Sequence, residues 1–344
     1  MVEREQVTRS KAIQRRTGKT FHLATRVLPE RVRHDTYVLY AFFRIADEVV
    51  DDAEGVSAEE QRERLESFRE AALGRSETDE PVLSAFSELR ERHDISESDV
   101  DVFIDAMLSD VTKDRYETYA EVEAYMDGSA AAVGRMMTAI MHPEDRERAL
   151  PHATALGEAF QLTNFLRDVR EDIVERDRVY FPQETLDTCG VDDDDLFAFR
   201  ATTEFREAMR REMARTENLY REGVAGIRHL PDDCQFAVLV AAVLYAEHHR
   251  VIRARDYDVL SADPTLSTRR KLRRMAETWW HWRRSGDPET VFYRVSAVDT
   301  PADADVQRDP NHPDAPTPTA AADGGQTCTV RSGLGWLGDR IRSN

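Results

Sequence analysis

Apolar residues recur at three- and four-residue spacing along eight long stretches, about 31–53, 59–73, 81–93, 97–126, 144–175, 202–222, 231–256 and 265–284, which predicts helices there. No set of alternating, β-branched segments bounded by turn residues accompanies them, so a parallel sheet with crossover helices is not expected. No repeat of fixed period stands out either. Past residue 298 the pattern stops. Pro, Asp, Ala and Thr replace apolar bulk, and a segment that buries so little surface cannot offset its ordering entropy. The expected organisation is an N-terminal arm over 1–14, an all-α domain over 15–297 and a disordered acidic, proline-rich tail over 298–344.

With 344 residues and 41% apolar content the chain can build a core for a domain of that size. Its formal net charge of −19 and pI near 5.0 argue against nucleic acid as a partner, since no basic stripe stands out to gather the 47 Lys and Arg residues. Only Lys11, Lys19, Lys113 and Lys271 are lysines. An acidic, lysine-poor surface suits a salt-rich cytoplasm, where screening over about 3 Å in molar salt removes most self-repulsion. Cys189, Cys234 and Cys328 are far apart and never form a C-x-x-C pair, which implies neither a disulfide framework nor a zinc knuckle and fits a reducing cytoplasm. The longest apolar run, Phe236 to Ala246, is too short to span a bilayer. Peripheral contact with a membrane is expected through Trp336, Leu337 and Ile341. Gly333-x-Gly335-x-x-Gly338 has the spacing of a dinucleotide fingerprint but lacks the preceding strand, the long helix and the acidic residue that the fingerprint requires.

The candidate chemistry lies on two helical stripes. In the first, Tyr37, Tyr40, Ala41, Arg44, Asp47, Glu48 and Asp51 share one face, while Phe42, Phe43, Ile45, Val49 and Val50 cover much of the remaining circumference. A stripe flanked in this way faces a cavity and not bulk water. Asp47 and Asp51 stand about 6 Å apart along the axis and repel unless something positive sits between them. In the second stripe Gln161, Asn164, Asp168 and Asp172 share a side, and Leu162, Leu166, Val169 and Ile173 form a separate apolar face. Either stripe alone reads as an ordinary solvated face. Two of them, more than a hundred residues apart, can face each other across a bundle interior, where paired helices commonly build metal sites. Their hard oxygen donors suit magnesium, with manganese as the alternative.

These residues resemble the squalene/phytoene synthase family. Tyr40 to Asp51, YAFFRIADEVVD, is similar to its first aspartate-rich motif, and Gln161 to Asp172, QLTNFLRDVRED, to its second. Arg178-Val179-Tyr180-Phe181-Pro182 is similar to a segment that follows, and Tyr125 with Gly128 to Gly134, GSAAAVG, to a small-residue stretch along which prenyl tails pass. The resemblance spans about residues 15–285. It implies a single-domain, isoprenoid-synthase-type helical bundle with a central cavity. The implied reaction joins two geranylgeranyl diphosphates head to head through a cyclopropyl intermediate, giving phytoene and pyrophosphate. Asp47, Asp51, Asn164, Asp168 and Asp172 are the implied metal ligands. Arg44 and Arg167 are implied to contact phosphate, Tyr40 and Tyr245 to line the phosphate end, and Thr20, Phe21, Tyr125 and Gln161 to complete substrate binding. Tyr40, Arg44 and the four aspartates form the implied catalytic set. No NADPH is expected, because phytoene formation ends by proton loss whereas squalene formation needs a hydride.

Two departures from the family pattern stand out. GKTFHLA over 18–24 has Gly18 and Thr20 where serines are usual and His22 where tyrosine is, and Ala262-Asp263 stands where basic residues are common. Arg269, Arg270 and Lys271 are the nearest candidates to compensate. Squalene or dehydrosqualene synthesis from farnesyl diphosphate is the rival reading within the family. An inactive member kept for binding or assembly is the rival of another class, against which the intact carboxylates speak.

Overall fold

A computed structural model describes residues 23–51 and 55–300. Thr20, Phe21, the N-terminal arm and the segment from residue 301 onward lie outside the described residues. The helices are α1 (Glu30–Asp51), α2 (Ala58–Ala72), α3 (Pro81–Arg92), α4 (Glu97–Asp110), α5 (Tyr119–Met126), α6 (Ala132–Met141), α7 (Arg146–Arg167), α8 (Val169–Arg176), α9 (Gln183–Cys189), α10 (Asp193–Phe197), α11 (Thr203–Ala225), α12 (Asp232–Ala254), α13 (Thr268–Ser285) and α14 (Pro288–Val295). Local chemistry sets many of their starts. Ser57, Ser96, Thr118, Thr202 and Ser267 each accept a backbone N–H of the first turn through the side-chain oxygen, and Pro81 and Pro288 open α3 and α14.

Two expected helices are divided. The stretch 97–126 is not one helix: α4 ends at Asp110, and Arg115–Tyr116 forms a short strand, β1, before α5 begins. β1 pairs in parallel with β2 (Val179–Pro182), the only ladder among the described residues, and this fastens the segment after α8 to the end of α4. The stretch 144–175 breaks at Asp168 (φ −102°, ψ 14°), whose carboxylate is gripped by the adjacent Arg167 guanidinium. Aspartate is a weak helix former because its side chain competes for local bonds, and here it is held by a neighbour. Helices α6, α9, α10 and α14 were not anticipated, being short or next to Gly and Pro.

Helix α7 runs through the middle, against α6, α11 and α12, and close backbone approach requires small residues there. A Cβ on Gly157 would lie 2.6 Å from the Ala130 carbonyl oxygen, and one on Gly223 of α11 would lie 2.7 Å from the Leu156 backbone nitrogen. The small-residue stretch packs as closely, since a Cβ on Gly134 would collide with the Ala153 carbonyl oxygen, while Val133 and Gly134 also line an apolar cavity; Asp127–Ala131, overlapping its start, is a single π-helical turn. Val298, at the expected tail boundary, is buried with Tyr220, Val291 and Phe292, and the Asp299 carbonyl accepts from Arg221. The expectation of no basic stripe fails at α13, whose outward face carries Arg269, Arg273, Arg283 and Arg284. No helix among the described residues is long and apolar enough to cross a membrane.

Candidate active site

The two carboxylate stripes come together at the C-terminal ends of α1 and α7 and along α8. Arg176 links them: its Nε lies 3.5 Å from Asp51 Oδ1 and its Nη1 lies 3.1 Å from Asp172 Oδ1. The chain leaves α8 through Asp177 in the left-handed region (φ 51°), a conformation aspartate tolerates, and this turn sends Arg178 back toward α4. Arg178 Nη1 stands 3.9 Å from Asp51 Oδ1, and its Nη2 donates to the Asp110 carbonyl oxygen at 2.6 Å. On α1, Arg44 lies 3.7 Å from Asp47 and 3.5 Å from Glu48. The positive charge that paired carboxylates demand is thus supplied partly by arginines from a different part of the chain.

The neutralisation is incomplete. Asp47 is partly enclosed, keeping 41% of its side-chain surface accessible. That enclosure, helped by Asp51 and Asp110 and opposed by Arg44, pushes its pKa up to about 7. Burial likewise raises Asp172 to about 7 against the pull of Arg176, and Asp110 to about 6 against that of Arg178. Asp110 Oδ1 is buried without a hydrogen-bond partner among the described residues. An oxygen-only donor set with surplus negative charge and an orphaned carboxylate oxygen fits a divalent cation, although no three His, Cys, Asp or Glu side chains among the described residues form a ready-made cluster.

An aromatic wall stands beside the carboxylates. The β1–β2 ladder brings Tyr116 to Tyr180, with ring centroids 5.8 Å apart, and Tyr180 stacks on Phe165 at 4.1 Å and on Tyr125 at 5.6 Å. The Tyr125 hydroxyl donates to Asp110 Oδ2 at 2.7 Å, so this expected substrate-binding residue orients a carboxylate as well. Tyr245 of α12 lies beside Arg167, Asp168 and Tyr40, and stacks on Phe160 at 4.4 Å. Burial pushes the Tyr245 hydroxyl up to about 12, which keeps it a neutral donor.

Phe160 also lines an apolar cavity of about 130 Å³ between α6, α7, α11 and α12. Along one face of α7 its lining passes through Ala149, Ala153, Leu156, Gly157 and Phe160, and the same helix then presents Gln161, Asn164 and Arg167. Apolar lining and charged site meet end to end.

The structure brings the expected Tyr40, Arg44, Asp47, Asp51, Tyr125, Gln161, Asn164, Arg167, Asp168, Asp172 and Tyr245 into one region and adds Asp110, Arg176 and Arg178, which were not among the expected site residues. Asp110 carries no local motif. Arg176 lies one turn past Asp172, an i,i+4 signal that was readable. Of the proposed compensating basic residues, Arg270 is committed to Glu247 at 2.5 Å and Arg269 is exposed, whereas Lys271 lies near His248.

The described residues thus form an all-helical bundle that sets an apolar cavity beside paired carboxylates. The squalene/phytoene synthase family model matches residues 14–275. The phytoene synthase of Thermus thermophilus is 36% identical over 243 residues, 70% of this chain and 81% of that protein, and that of Rhodobacter capsulatus is 30% identical over 264 residues, 75% and 76%. Among solved structures, a dehydrosqualene synthase in complex with ligand superposes with a TM-score of 0.72 at 27% identity, covering 81% of this chain and 97% of that one. A squalene synthase from Alicyclobacillus acidocaldarius gives 0.64 at 25% identity, covering 74% and 95%. The chain belongs to the squalene/phytoene synthase family, whose members act on prenyl diphosphates.

Proposed function

We propose that the protein condenses two molecules of geranylgeranyl diphosphate head to head into phytoene, releasing two pyrophosphates and requiring no reductant. The observation that carries this reading is the change of lining along α7, from small apolar residues to Gln161, Asn164 and Arg167. Such a surface suits a long hydrocarbon tail ending in a highly charged head. The relatives named phytoene synthase support the longer substrate.

Each step makes a different demand. One diphosphate leaves, its allylic cation alkylates the double bond of the second molecule, a proton is lost to close the cyclopropane, and a second departure permits rearrangement and a final proton loss. Arg44, Arg176 and Arg178 supply positive charge where the leaving pyrophosphate gathers negative charge. The stacked faces of Tyr125, Phe165 and Tyr180 offer π density to a cation and no nucleophile to trap it. Tyr40 and Tyr245 hold the head group, and Tyr125 fixes the Asp110 carboxylate. Asp47, Asp51, Asn164, Asp168 and Asp172 are the residues that would hold magnesium or manganese, which when bound neutralises the pyrophosphate.

The test is a product assay in salt with farnesyl or geranylgeranyl diphosphate, each with and without NADPH. Phytoene from geranylgeranyl diphosphate alone is the expected result. The resemblance to a dehydrosqualene synthase structure favours one second reading, condensation of farnesyl diphosphate. Product only from farnesyl diphosphate would establish that reading and refute ours, and no product from either would favour an inactive member.

A further inference from the structure

Helix α13 has an inner and an outer face, and the prenyltransferase reading leaves most of the outer one unused. Its inner face is firmly held. Glu247 of α12 is fully buried and takes Arg270 at 2.5 Å and Arg274 at 3.0 Å, and Thr278 is buried beneath the helix. The outer face is therefore the designed exterior of a well-anchored helix, and its composition is unusual for one. Leu272 is 55% exposed, Trp279 49% and Trp280 53%, three of the five exposed large apolar side chains among the described residues. Leu272 and Trp279 are two turns apart on one side, and Trp280 extends the exposed apolar ridge onto the adjoining side of the same outer face.

Arg269 precedes that ridge and Arg283 and Arg284 follow it, while Arg273 within it pairs with Glu277 at 2.8 Å. The guanidinium of Arg283 lies 5.4 Å from the Trp279 ring centroid and that of Arg284 lies 3.4 Å from that of Trp280. Seven Lys or Arg residues and one Glu fall within these 18 residues, in a chain whose net charge is −19. Positive charge is thus concentrated on one helix against an acidic background.

We infer that α13 docks the protein on an anionic lipid surface, with Leu272, Trp279 and Trp280 entering the headgroup layer and the flanking arginines meeting lipid phosphates. Tryptophan rings favour that depth, and arginine stems can lie along apolar surface while their charged ends stay with the headgroups. A polybasic face gains from anionic lipid at each cation. Nucleic acid would use the arginines but leave the Trp and Leu ridge in water, and a second copy would have to cover both the ridge and the charge with an acidic surface. The docking surface does not depend on which hydrocarbon the enzyme makes.

Co-flotation of the full chain with phosphatidylglycerol or phosphatidylcholine vesicles tests this, at the lowest salt that preserves the helical circular-dichroism signal. The wild type is expected to float with phosphatidylglycerol and at least tenfold less with phosphatidylcholine. Arg283→Gln with Arg284→Gln lowers partitioning by about fivefold per arginine. Trp279→Ser with Trp280→Ser lowers it at every salt concentration, and both double variants keep wild-type turnover on detergent-dispersed substrate. No flotation of the wild type, or flotation unchanged in both variants, overturns the proposal. So does a wild-type dimer, or binding to duplex DNA, that the variants lose without any change on vesicles.

Discussion

Replacing Asp47 by Asn separates stability from function. The shift from 3.8 to about 7 corresponds to roughly 4 kcal/mol against the ionised form. With 41% of the side-chain surface open, solvent screens much of this, leaving about 1–2 kcal/mol. The native pKa lies above the unfolded one, so between about pH 4 and about pH 7 the native carboxyl keeps a proton that the unfolded chain has released. Native protein then binds more protons, and the contribution of Asp47 to stability declines as pH rises through that window. Asparagine carries no titrating group. Its advantage in metal-free protein is therefore absent near pH 4 and complete above pH 7. Urea unfolding of both proteins at about pH 4 and about pH 8, with chelator, measures the difference. Turnover should meanwhile fall by roughly a thousandfold, because a ligand for the charge on the leaving group is gone. An Asn variant less stable than wild type at the higher pH would refute the electrostatic reasoning. Near-wild-type turnover with saturating magnesium would refute the metal assignment.

Arg176→Gln leaves Asp51 and Asp172 without their shared cation and should cost about 1–3 kcal/mol in chelated buffer, the gap narrowing when magnesium is added; an equal loss in both conditions would count against charge compensation. Gly157→Ala places a methyl 2.6 Å from the Ala130 carbonyl oxygen and should cost about 1–3 kcal/mol in thermal or urea unfolding, whereas no loss would mean α7 and the π-turn can move apart freely. Deleting residues 301–344 should leave turnover on detergent-dispersed substrate intact, since that segment has little core-forming bulk, and loss of turnover would assign it a role in catalysis.

Helical periodicity and two carboxylate stripes were legible in the sequence because both are local: residues three and four apart on a helix share a face whatever surrounds them. That locality placed Asp47 with Asp51, and Asn164 near Asp168 and Asp172. Resemblance of the motifs supplied the family and, through it, Tyr245 from a distant helix. Tertiary structure decided what long-range packing controls. The break at Asp168, the left-handed turn at Asp177 and the β1–β2 ladder together bring Arg176 and Arg178 to Asp51 and Asp110, across separations no periodic pattern encodes. The pKa values of Asp47 and Asp172 follow from enclosure, which depends on all the surrounding elements at once. The same holds for α13. Its basic residues can be counted in the sequence, but only the contact with Glu247 decides which of them turn inward and which, with Trp279 and Trp280, are left facing out.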